Sequence, residues 1–259
     1  MIGKHDEIDM IRPRTDPWWE VRAEVLNAWI NKALPIHDRG FVLKTDLFDE
    51  ACGPNHHAVI ADKFGELLGM DRSLAVVKSS KIRLEKQAIN ARFIVCDVRA
   101  LPFQSESIST VLSLSTLDHF EEKEDIQICI FEISRVMKHA GILFLTLDNP
   151  LNPTNALRSS LPKRVTSKLR TDTFPLGVTL SKVEAESSFR IVGFKIREST
   201  YLIHSFRYFM IRVLKYLQRQ GHKKLLHIGL SVIRKLEMLQ SLPTRAISGH
   251  YSAWLLEKS

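Results

Sequence analysis

Cysteine is scarce in this chain of 259 residues. Cys52, Cys96 and Cys129 are odd in number, lie far apart and form no C-x-x-C pair, so neither a disulfide framework nor a zinc site is expected. We interpret them as small buried side chains in a reducing compartment. The pair His56-His57 has no cysteine or carboxylate at helical ligand spacing, and no metal is predicted.

Long apolar runs are absent as well. No run approaches about 20 residues, the length that crosses a bilayer. Residues 1–14 are dense in charge and lack the apolar segment of a signal peptide, so none is expected. These absences predict a cytoplasmic protein, and they leave open a peripheral attachment at the inner membrane surface.

Acidic residues are outnumbered by basic ones. The chain has 37 Lys+Arg against 29 Asp+Glu, a formal net charge of +8 and a pI near 9.4. This balance favours an acidic partner, which would be nucleic acid, an anionic membrane surface or a phosphorylated small molecule. The length suits one α/β domain with an appended element.

The sequence does contain a series of short apolar runs that lead to polar side chains. The runs 67–71, 93–97 and 141–148 each end at an aspartate, and the run 112–115 reaches Asp118 shortly after its last serine. Apolar strands that alternate with helices predict βαβ units and a parallel sheet. The carboxyl ends of such strands present their polar groups at one edge of the sheet.

The complete pattern predicts seven strands and their helices. The predicted strands are residues 41–48, 67–71, 93–98, 108–115, 141–147, 190–198 and 246–256, with a turn over 46–55 after the first. The predicted helices are residues 16–33, 58–68, 74–87, 127–138 and 180–188, and two helices within 201–239 that break near Gly221. The first helix has Asp16 as N-cap and Pro17 at its first position. It either packs against the sheet edge or covers the cofactor as a lid.

Carboxylates at the ends of neighbouring strands suit a nucleoside. One carboxylate can accept hydrogen bonds from both ribose hydroxyls, and Asp71 closes the second strand. Asp97, beside the Val98 backbone, can accept from an exocyclic amine such as that of adenine. Ala51 and Gly53 are small enough to let the backbone approach a ligand closely.

Taken in order, these motifs resemble those of the class I S-adenosylmethionine-dependent methyltransferases. The series is DEACGP, GMDRS, CDVRALPF, SLSTLDHF and the helix and turn EISRVMKHAG before strand five. The resemblance covers residues 41–148 and extends to 180–198 and 246–258, as antiparallel strands that finish a seven-stranded sheet. It implies a Rossmann-like α/β fold, mostly parallel, with helices on both faces.

The resemblance also implies the cofactor S-adenosyl-L-methionine and its contacts. The loop 49–53 would lie under the methionine portion, Asp71 would hold the ribose, Asp97 would meet the adenine, and 113–118 would line the methyl-transfer face. Either Asp46 or Asp49 is the acid that ends strand one. The predicted cofactor contacts are Asp46, Asp49, Glu50, Ala51, Gly53, Asp71, Arg72, Asp97, Val98, Ser113 and Ser115.

Asp118 and His119, just beyond strand four, are the catalytic candidates. Such a pair could deprotonate a hydroxyl acceptor. The alternative is that Asp118 caps the following helix while His119 packs or faces water.

The cofactor loop departs from the family pattern. That pattern is acid-x-G-x-G-x-G, and this chain keeps only Gly53, with Ala51 and Asn55 at the other two positions. The departure leaves room for a non-catalytic relative. A nicotinamide dehydrogenase would need G-x-G-x-x-G at the first helix, and no such motif is present.

Basic residues concentrate in two segments. Residues 201–236 carry eight cations and no acid on amphipathic helices, which predicts a lid or dimer face, a membrane-surface helix or a nucleic-acid clamp. Most aromatic residues there lie on the apolar stripe, which weakens the third interpretation. The second segment, 158–170, follows strand five, on the rim where substrates bind.

We therefore predict three parts: an N-terminal helical extension (1–37), a methyltransferase domain (38–200 with 245–259) and a basic helical insertion (201–244). The predicted function is methyl transfer from S-adenosylmethionine to a small or lipid-linked acidic acceptor. The alternatives are an RNA methyltransferase and a non-catalytic binding or scaffold protein on the same fold.

Overall fold

The protein is built around one seven-stranded sheet. A computed structural model describes residues 16–33, 41–54, 56, 66–160 and 177–259. The strand order is β3-β2-β1-β4-β5-β7-β6. Strands β1 to β5 are parallel, and β7 runs antiparallel to both of its neighbours. The strands are β1 Phe41–Lys44, β2 Glu66–Asp71, β3 Arg92–Val95, β4 Ile108–Leu114, β5 Met137–Asp148, β6 Phe194–Leu202 and β7 Tyr251–Lys258.

The helices cover both faces of this sheet. They are α1 Pro17–Ala33, α2 Phe48–Cys52, α3 Leu74–Lys86, α4 Lys123–Val136, α5 Pro153–Ser160, α6 Lys182–Ile191, α7 Arg207–Arg219, α8 Lys223–Leu236 and α9 Arg245–Ser248. Two short 3₁₀ turns span Leu117–His119 and Glu237–Ser241. The predicted Rossmann-like, mostly parallel α/β fold is confirmed.

Neighbouring residues along each strand pack into two different cores, because successive side chains point to opposite faces. Leu43 and Val111 pack with α4 and α6 on one face. Val42 and Leu112 pack with α1, α7 and α8 on the other. The basic insertion therefore lies on the same face as the N-terminal helix.

Helix α1 packs on the face of the sheet. It begins at Pro17, as predicted, and the backbone N–H of Trp19 donates to the carbonyl oxygen of Asp16 (3.0 Å). The ring of Trp29 meets that of Phe144 from β5 edge-on, with centroids 5.3 Å apart. This packing joins α1 to the central strands.

The first strand is shorter than predicted, and the predicted turn 46–55 contains a helix. The strand ends at Lys44 and α2 starts at Phe48. The Asp46 carboxylate accepts from the N–H of Phe48 (3.1 Å) and satisfies a donor at the helix start. Helical bonding follows, from Ala51 N–H to Leu47 O (2.8 Å).

The last two strands also differ from the prediction. Helix α6 is capped by Ser181 and continues to Ile191, and Gly193 at φ +85° makes the turn into β6. The predicted strand 190–198 therefore starts four residues later, at Phe194. Only β7 is antiparallel to β5, so β6 runs in the direction of β5, and the prediction that both final strands are antiparallel to the rest was wrong.

Two predicted features fall partly outside the described residues. Of the predicted helix 58–68, residues 58–65 are not described, and 66–68 belong to β2. Of the basic segment 158–170, residues 161–170 lie outside, and residues 153–160 form α5. Among the helices that the structure describes, none has the length and apolarity to cross a membrane.

Candidate functional site

The predicted site residues converge on the carboxyl edge of the sheet. Asp46 follows β1, Asp71 ends β2, Asp97 follows β3 and Ser115 follows β4. The strand order reverses at β1, where β2 and β3 extend to one side and β4 and β5 to the other. Ligands of open α/β sheets bind outside the carboxyl ends at such a switch point.

Asp71 is held rigidly at the centre of this edge. Its carboxylate accepts from the backbone N–H of Leu47 (3.1 Å) and of Ser73 (2.9 Å). Burial and the nearby charge of Asp46 raise the pKa of Asp71 to about 6. Two backbone donors thus fix a carboxylate whose ionised form is poorly solvated, which suits a group that accepts further hydrogen bonds from a ligand.

Asp97 lies next to Asp71 along the edge, since the N–H of Cys96 donates to the carbonyl oxygen of Asp71 (3.2 Å). Arg99 clamps the Asp97 carboxylate, with Nη2 2.7 Å from Oδ2, and also reaches Asp125 at 3.0 Å. The hydrogen bond from Arg99 lowers the pKa of Asp97. Asp97 is therefore ionised at neutral pH and remains partly exposed.

Asp46 connects the ends of β1 and β4. Its Oδ2 accepts from the hydroxyl of Thr116 (2.8 Å), and Thr116 also lies 3.0 Å from the hydroxyl of Thr45. The nearby N–H of Thr45 donates to the carbonyl oxygen of Leu112 in β4 (3.0 Å). These bonds hold the loop after β1 against the loop after β4.

A buried lysine ends β1 directly below this edge. Lys44 is 1% exposed, and its Nζ lies 2.8 Å from Glu50 Oε2 and donates to the carbonyl oxygen of Asp46 at 2.7 Å. Burial alone would lower the pKa of Lys44, but the charges of Asp46 and Glu50 raise it above its ordinary value. The ion pair fixes α2 to the strand that precedes it.

Asp49, also on α2, is paired with helix α1. Its Oδ2 accepts from Arg22 Nη1 at 2.8 Å and lies 3.1 Å from His56 Nε2, and the other ring nitrogen of His56 lies 2.7 Å from Asn27. Burial would raise the pKa of Asp49, but Arg22 and His56 hold it well below its usual range. The N-terminal helix is thereby bonded directly to the loop after β1.

Helix α3 supports the same loop from the other side. Arg83 donates to the carbonyl oxygens of Glu50 (2.8 Å) and Gly53 (2.9 Å), and Ser80 donates to that of Leu47 (3.0 Å). Leu47 in turn packs so closely on β2 that a Cβ at Gly69 would lie 2.5 Å from it. Residues 47–53 of the loop after β1 are therefore held in place from both sides, although Gly53 is the only glycine among them.

The turn after β4 holds the two catalytic candidates. Asp118 is 3% exposed, and its Oδ2 accepts from the hydroxyl of Ser115 (2.9 Å) and the N–H of Asp148 (3.0 Å). His119 Nε2 is 4.0 Å from the Asp118 carboxylate, and its side chain is 47% exposed. Asp118 thus ties the end of β4 to the end of β5, whereas His119 is accessible to an acceptor.

The predicted cofactor-contact residues differ in their position and in their exposure to solvent. The structure brings Asp46, Asp71, Asp97 and Ser115 to one edge. Arg72 is exposed beside Asp71, whereas the remaining members are buried: Asp49, Glu50, Ala51, Gly53, Val98 and Ser113. Whether each touches a cofactor stays a prediction.

Sequence reasoning missed three buried groups that shape the site: Lys44, Arg22 and His56. The sequence indicated them only indirectly. Three acids, Asp46, Asp49 and Glu50, follow Lys44, and carboxylates near a buried strand require nearby cations. Within the described part of the chain, no cluster of three or more His, Cys, Asp or Glu side chains could hold a metal ion. The edge is built to accept hydrogen bonds from neutral or cationic donors.

The comparison with protein families matches this region. Residues 48–145 match the family model described as methyltransferase domain. The match runs from α2 through most of β5, and thus contains the ends of β2, β3 and β4. It confirms the resemblance to class I methyltransferases. The comparison with curated proteins found no match.

Many solved structures share the fold. A SAM-dependent methyltransferase from Methanosarcina mazei superposes with a TM-score of 0.59 at 12% identity, over 89% of this chain and 96% of that one. Geranyl diphosphate methyltransferase in complex with GPP and sinefungin superposes with a TM-score of 0.57 at 15% identity, over 93% of this chain and 78% of that one. The [4+2]-cyclase SpnF superposes with a TM-score of 0.57 at 16% identity, over 90% of this chain and 79% of that one. Identities this low show the fold and not the reaction.

Proposed function

We propose that this chain, which carries a methyltransferase domain over residues 48–145, transfers a methyl group from S-adenosylmethionine to a small or lipid-linked acidic acceptor. The observation that carries the proposal is the pair Asp71 and Asp97, which lie side by side at the carboxyl ends of β2 and β3. In this proposal the Asp71 carboxylate accepts hydrogen bonds from the ribose hydroxyls, and the Asp97 carboxylate accepts from the adenine amine.

The methyl-transfer step itself makes few chemical demands on the protein. The sulfonium methyl is already activated, so the site mainly has to align the acceptor and exclude water. An acidic acceptor that is already ionised needs no general base. For a protonated hydroxyl, His119 is the accessible candidate beside the end of β4.

The acidic acceptor is supported by charge and by one structural neighbour. The insertion carries most of the positive excess, and it adjoins the carboxyl edge where an acceptor would enter. The solved geranyl diphosphate methyltransferase has the same fold and, by its name, acts on an anionic prenyl compound. Both facts favour an acceptor with phosphate or carboxylate groups.

A non-catalytic binding protein is the second candidate. It is favoured by the loop after β1, which keeps only Gly53 of the family's three glycines and whose acids Asp49 and Glu50 are paired internally with Arg22 and Lys44. The cyclase among the structural neighbours shows that this fold also supports chemistry other than methyl transfer.

Titration calorimetry with S-adenosylmethionine tests the proposal. We expect saturable binding by the wild type and roughly ten- to hundredfold weaker binding by Asp71→Asn, because hydrogen bonds to an ionised group contribute about 1.5–3 kcal/mol. Glu121→Gln, an exposed acid in the turn after β4, is the matched control and should bind like wild type. No heat of binding in the wild type would refute the proposal and favour a protein that does not use this cofactor.

A further inference from the structure

The fold leaves apolar side chains exposed on the outer side of the helical insertion. In α8, Leu226 and Ile233 pack inward toward α1, whereas Leu225, Ile228 and Val232 are 53%, 57% and 46% exposed. The exposed three are spaced three and four residues apart and so lie along one side of the helix. The apolar surface of α8 is therefore wider than the area that the rest of the described chain covers.

Cations border this exposed stripe. Lys224 lies four residues before Ile228 and Lys235 seven after it, so both are next to the stripe on the helix surface. Neither forms an ion pair with another described residue. We call Lys224, Leu225, Ile228, Val232 and Lys235 the docking face.

Helices α7 and α8 contain no acidic residue. Residues 207–245 contain a single acid, Glu237. Its carboxylate accepts from the backbone N–H groups of Ile203 (3.2 Å) and His204 (2.8 Å), and burial raises its pKa. Neither α7 nor α8 therefore supplies an acid that could neutralise the lysines of the docking face.

Two other cations of helices α7 and α8 pair with acids in α1 or directly before it. Arg234 Nε lies 2.8 Å from Glu24, and Lys215 Nζ lies 3.0 Å from Asp16. Glu24 and Asp16 thus match two cations that face α1, whereas the lysines of the docking face have no ion-pair partner among the described residues.

The insertion adjoins the edge where an acceptor would enter. Strand β6 ends at Leu202 and β7 begins at Tyr251, which pairs with Asp148 at the end of β5. The side chain of Asn149 donates to the carbonyl oxygens of Ala246 (2.7 Å) and Gly249 (2.8 Å). Both ends of the insertion are thereby fixed beside the carboxyl end of β5.

We propose that the docking face binds the surface of an anionic lipid bilayer and so presents the carboxyl edge to a lipid-linked acceptor. Apolar side chains flanked by lysines are suited to the boundary between acyl chains and anionic headgroups. A symmetric contact with a second copy would instead bring the same lysines against each other. The identity of the acceptor rests on the proposed function, but the bilayer contact does not.

Co-sedimentation of the full chain with lipid vesicles tests the inference. We expect binding to vesicles of phosphatidylcholine with phosphatidylglycerol and little binding to phosphatidylcholine alone. Lys224→Glu with Lys235→Glu should weaken binding roughly tenfold or more, because each cation near an anionic surface contributes about 1 kcal/mol. Ile228→Glu with Val232→Glu should weaken it by a comparable factor, since it removes the buried apolar contact.

Matched controls lie on other surfaces. Val183 and Ile191 on α6 are 78% and 82% exposed, on the opposite face of the sheet, so their double replacement by glutamate should leave binding unchanged. Lys138→Glu with Lys195→Glu controls for net charge. Circular dichroism of every variant confirms that it is folded.

Three results would overturn the inference. The first is equal binding to neutral and anionic vesicles, or none. The second is wild-type binding by both docking-face variants. The third is a dimer in sedimentation velocity that Ile228→Glu with Val232→Glu dissociates while vesicle binding is absent. Calorimetry with S-adenosylmethionine on the same proteins separates the two proposals, because cofactor binding without vesicle binding refutes only the docking face, and the reverse refutes only the proposed function.

Discussion

At the scale of single residues, Asp71 at the edge of the sheet is a carboxyl group with a raised pKa. The pKa of Asp71 is raised to about 6 from an ordinary value of 3.8, chiefly by burial. A raised carboxyl pKa stabilises the fold while the group is protonated. This contribution is complete below the unfolded-state pKa and is lost as the pH rises through about 6.

Replacement of Asp71 by asparagine should therefore flatten the pH dependence of stability. Between pH 5 and pH 7.5 the wild type should lose about 1–2 kcal/mol relative to Asp71→Asn, since each pKa unit corresponds to about 1.4 kcal/mol. Urea unfolding at both pH values measures this difference. Parallel pH profiles for the two proteins would contradict the assignment, and Glu121→Gln should match the wild-type profile.

Replacement of Asp118 should destabilise the fold, whereas replacement of the exposed His119 should not. Asp118→Ala leaves the hydroxyl of Ser115 and the N–H of Asp148 without their acceptor, so we expect a loss of about 2–4 kcal/mol in the free energy of unfolding. His119→Ala removes a half-exposed ring and should change stability by less than about 0.5 kcal/mol. Chemical denaturation checks both, and equal losses would refute the distinction.

Individual site residues were predictable to different degrees. Asp71 and Asp97 could be assigned to the edge because each ends an apolar run, and the end of a buried parallel strand has a known place in the sheet. The sequence could not show that Asp49 and Glu50, unlike Asp71 and Asp97, are paired inside the protein. Their partners Arg22 and Lys44 reach them only through tertiary packing. Carboxylates in the same loop thus differ in whether they face an internal cation or the edge.

At the scale of secondary structure elements, a buried ion pair between α1 and α2 stabilises the loop after β1. The side chains of Arg22 and Asp49 are only 5% and 7% exposed. Arg22→Ala leaves the Asp49 charge buried without its main partner, which should cost about 3–5 kcal/mol. Thermal or urea unfolding measures this loss.

The control is an ion pair on the surface. Arg197 lies 2.5 Å from Glu257 across β6 and β7, with its side chain 55% exposed. Arg197→Ala should cost about 0–1 kcal/mol. Similar losses for Arg22→Ala and Arg197→Ala would show that the pairing of α1 with α2 does not stabilise the loop.

Elements with continuous apolar runs could be predicted, and short polar ones could not. Strands β2 and β4 and helix α3 lie within a residue or two of their predicted bounds, because their apolar periodicity extends over the whole element. Helix α2 was missed because its five residues have little periodicity, and its stability comes from Arg83 and Ser80 about thirty residues away. Tertiary hydrogen bonds of that range leave no local pattern.

At the scale of the whole molecule, the sheet, α1 and the insertion form successive layers on one face. Trp29 of α1 packs on β5, and Ile211 and Ile233 of the insertion pack on α1. The sequence predicted the amphipathic helices of the insertion but left open which surface they bury. The inner side contacts α1, and no other described residue covers the outer side with its lysines, which is the docking face.

Vesicle binding should consequently depend strongly on ionic strength. At about 0.15 M salt the screening length is about 8 Å, and higher salt weakens attraction between exposed lysines and headgroups. We expect wild-type co-sedimentation with anionic vesicles to fall steeply as salt increases, and the residual binding of Lys224→Glu with Lys235→Glu to change little. A salt-independent wild type would show that charge does not direct the contact.

In the proposed function, the carboxyl ends of β2 and β3 hold the adenosine part of S-adenosylmethionine. A crystal structure of the chain with sinefungin tests it most directly. We expect the ribose hydroxyls within hydrogen-bond distance of the Asp71 carboxylate and the adenine amine beside Asp97. Sinefungin bound elsewhere, or Asp71 and Asp97 both without contact to it, would refute a cofactor site at this edge.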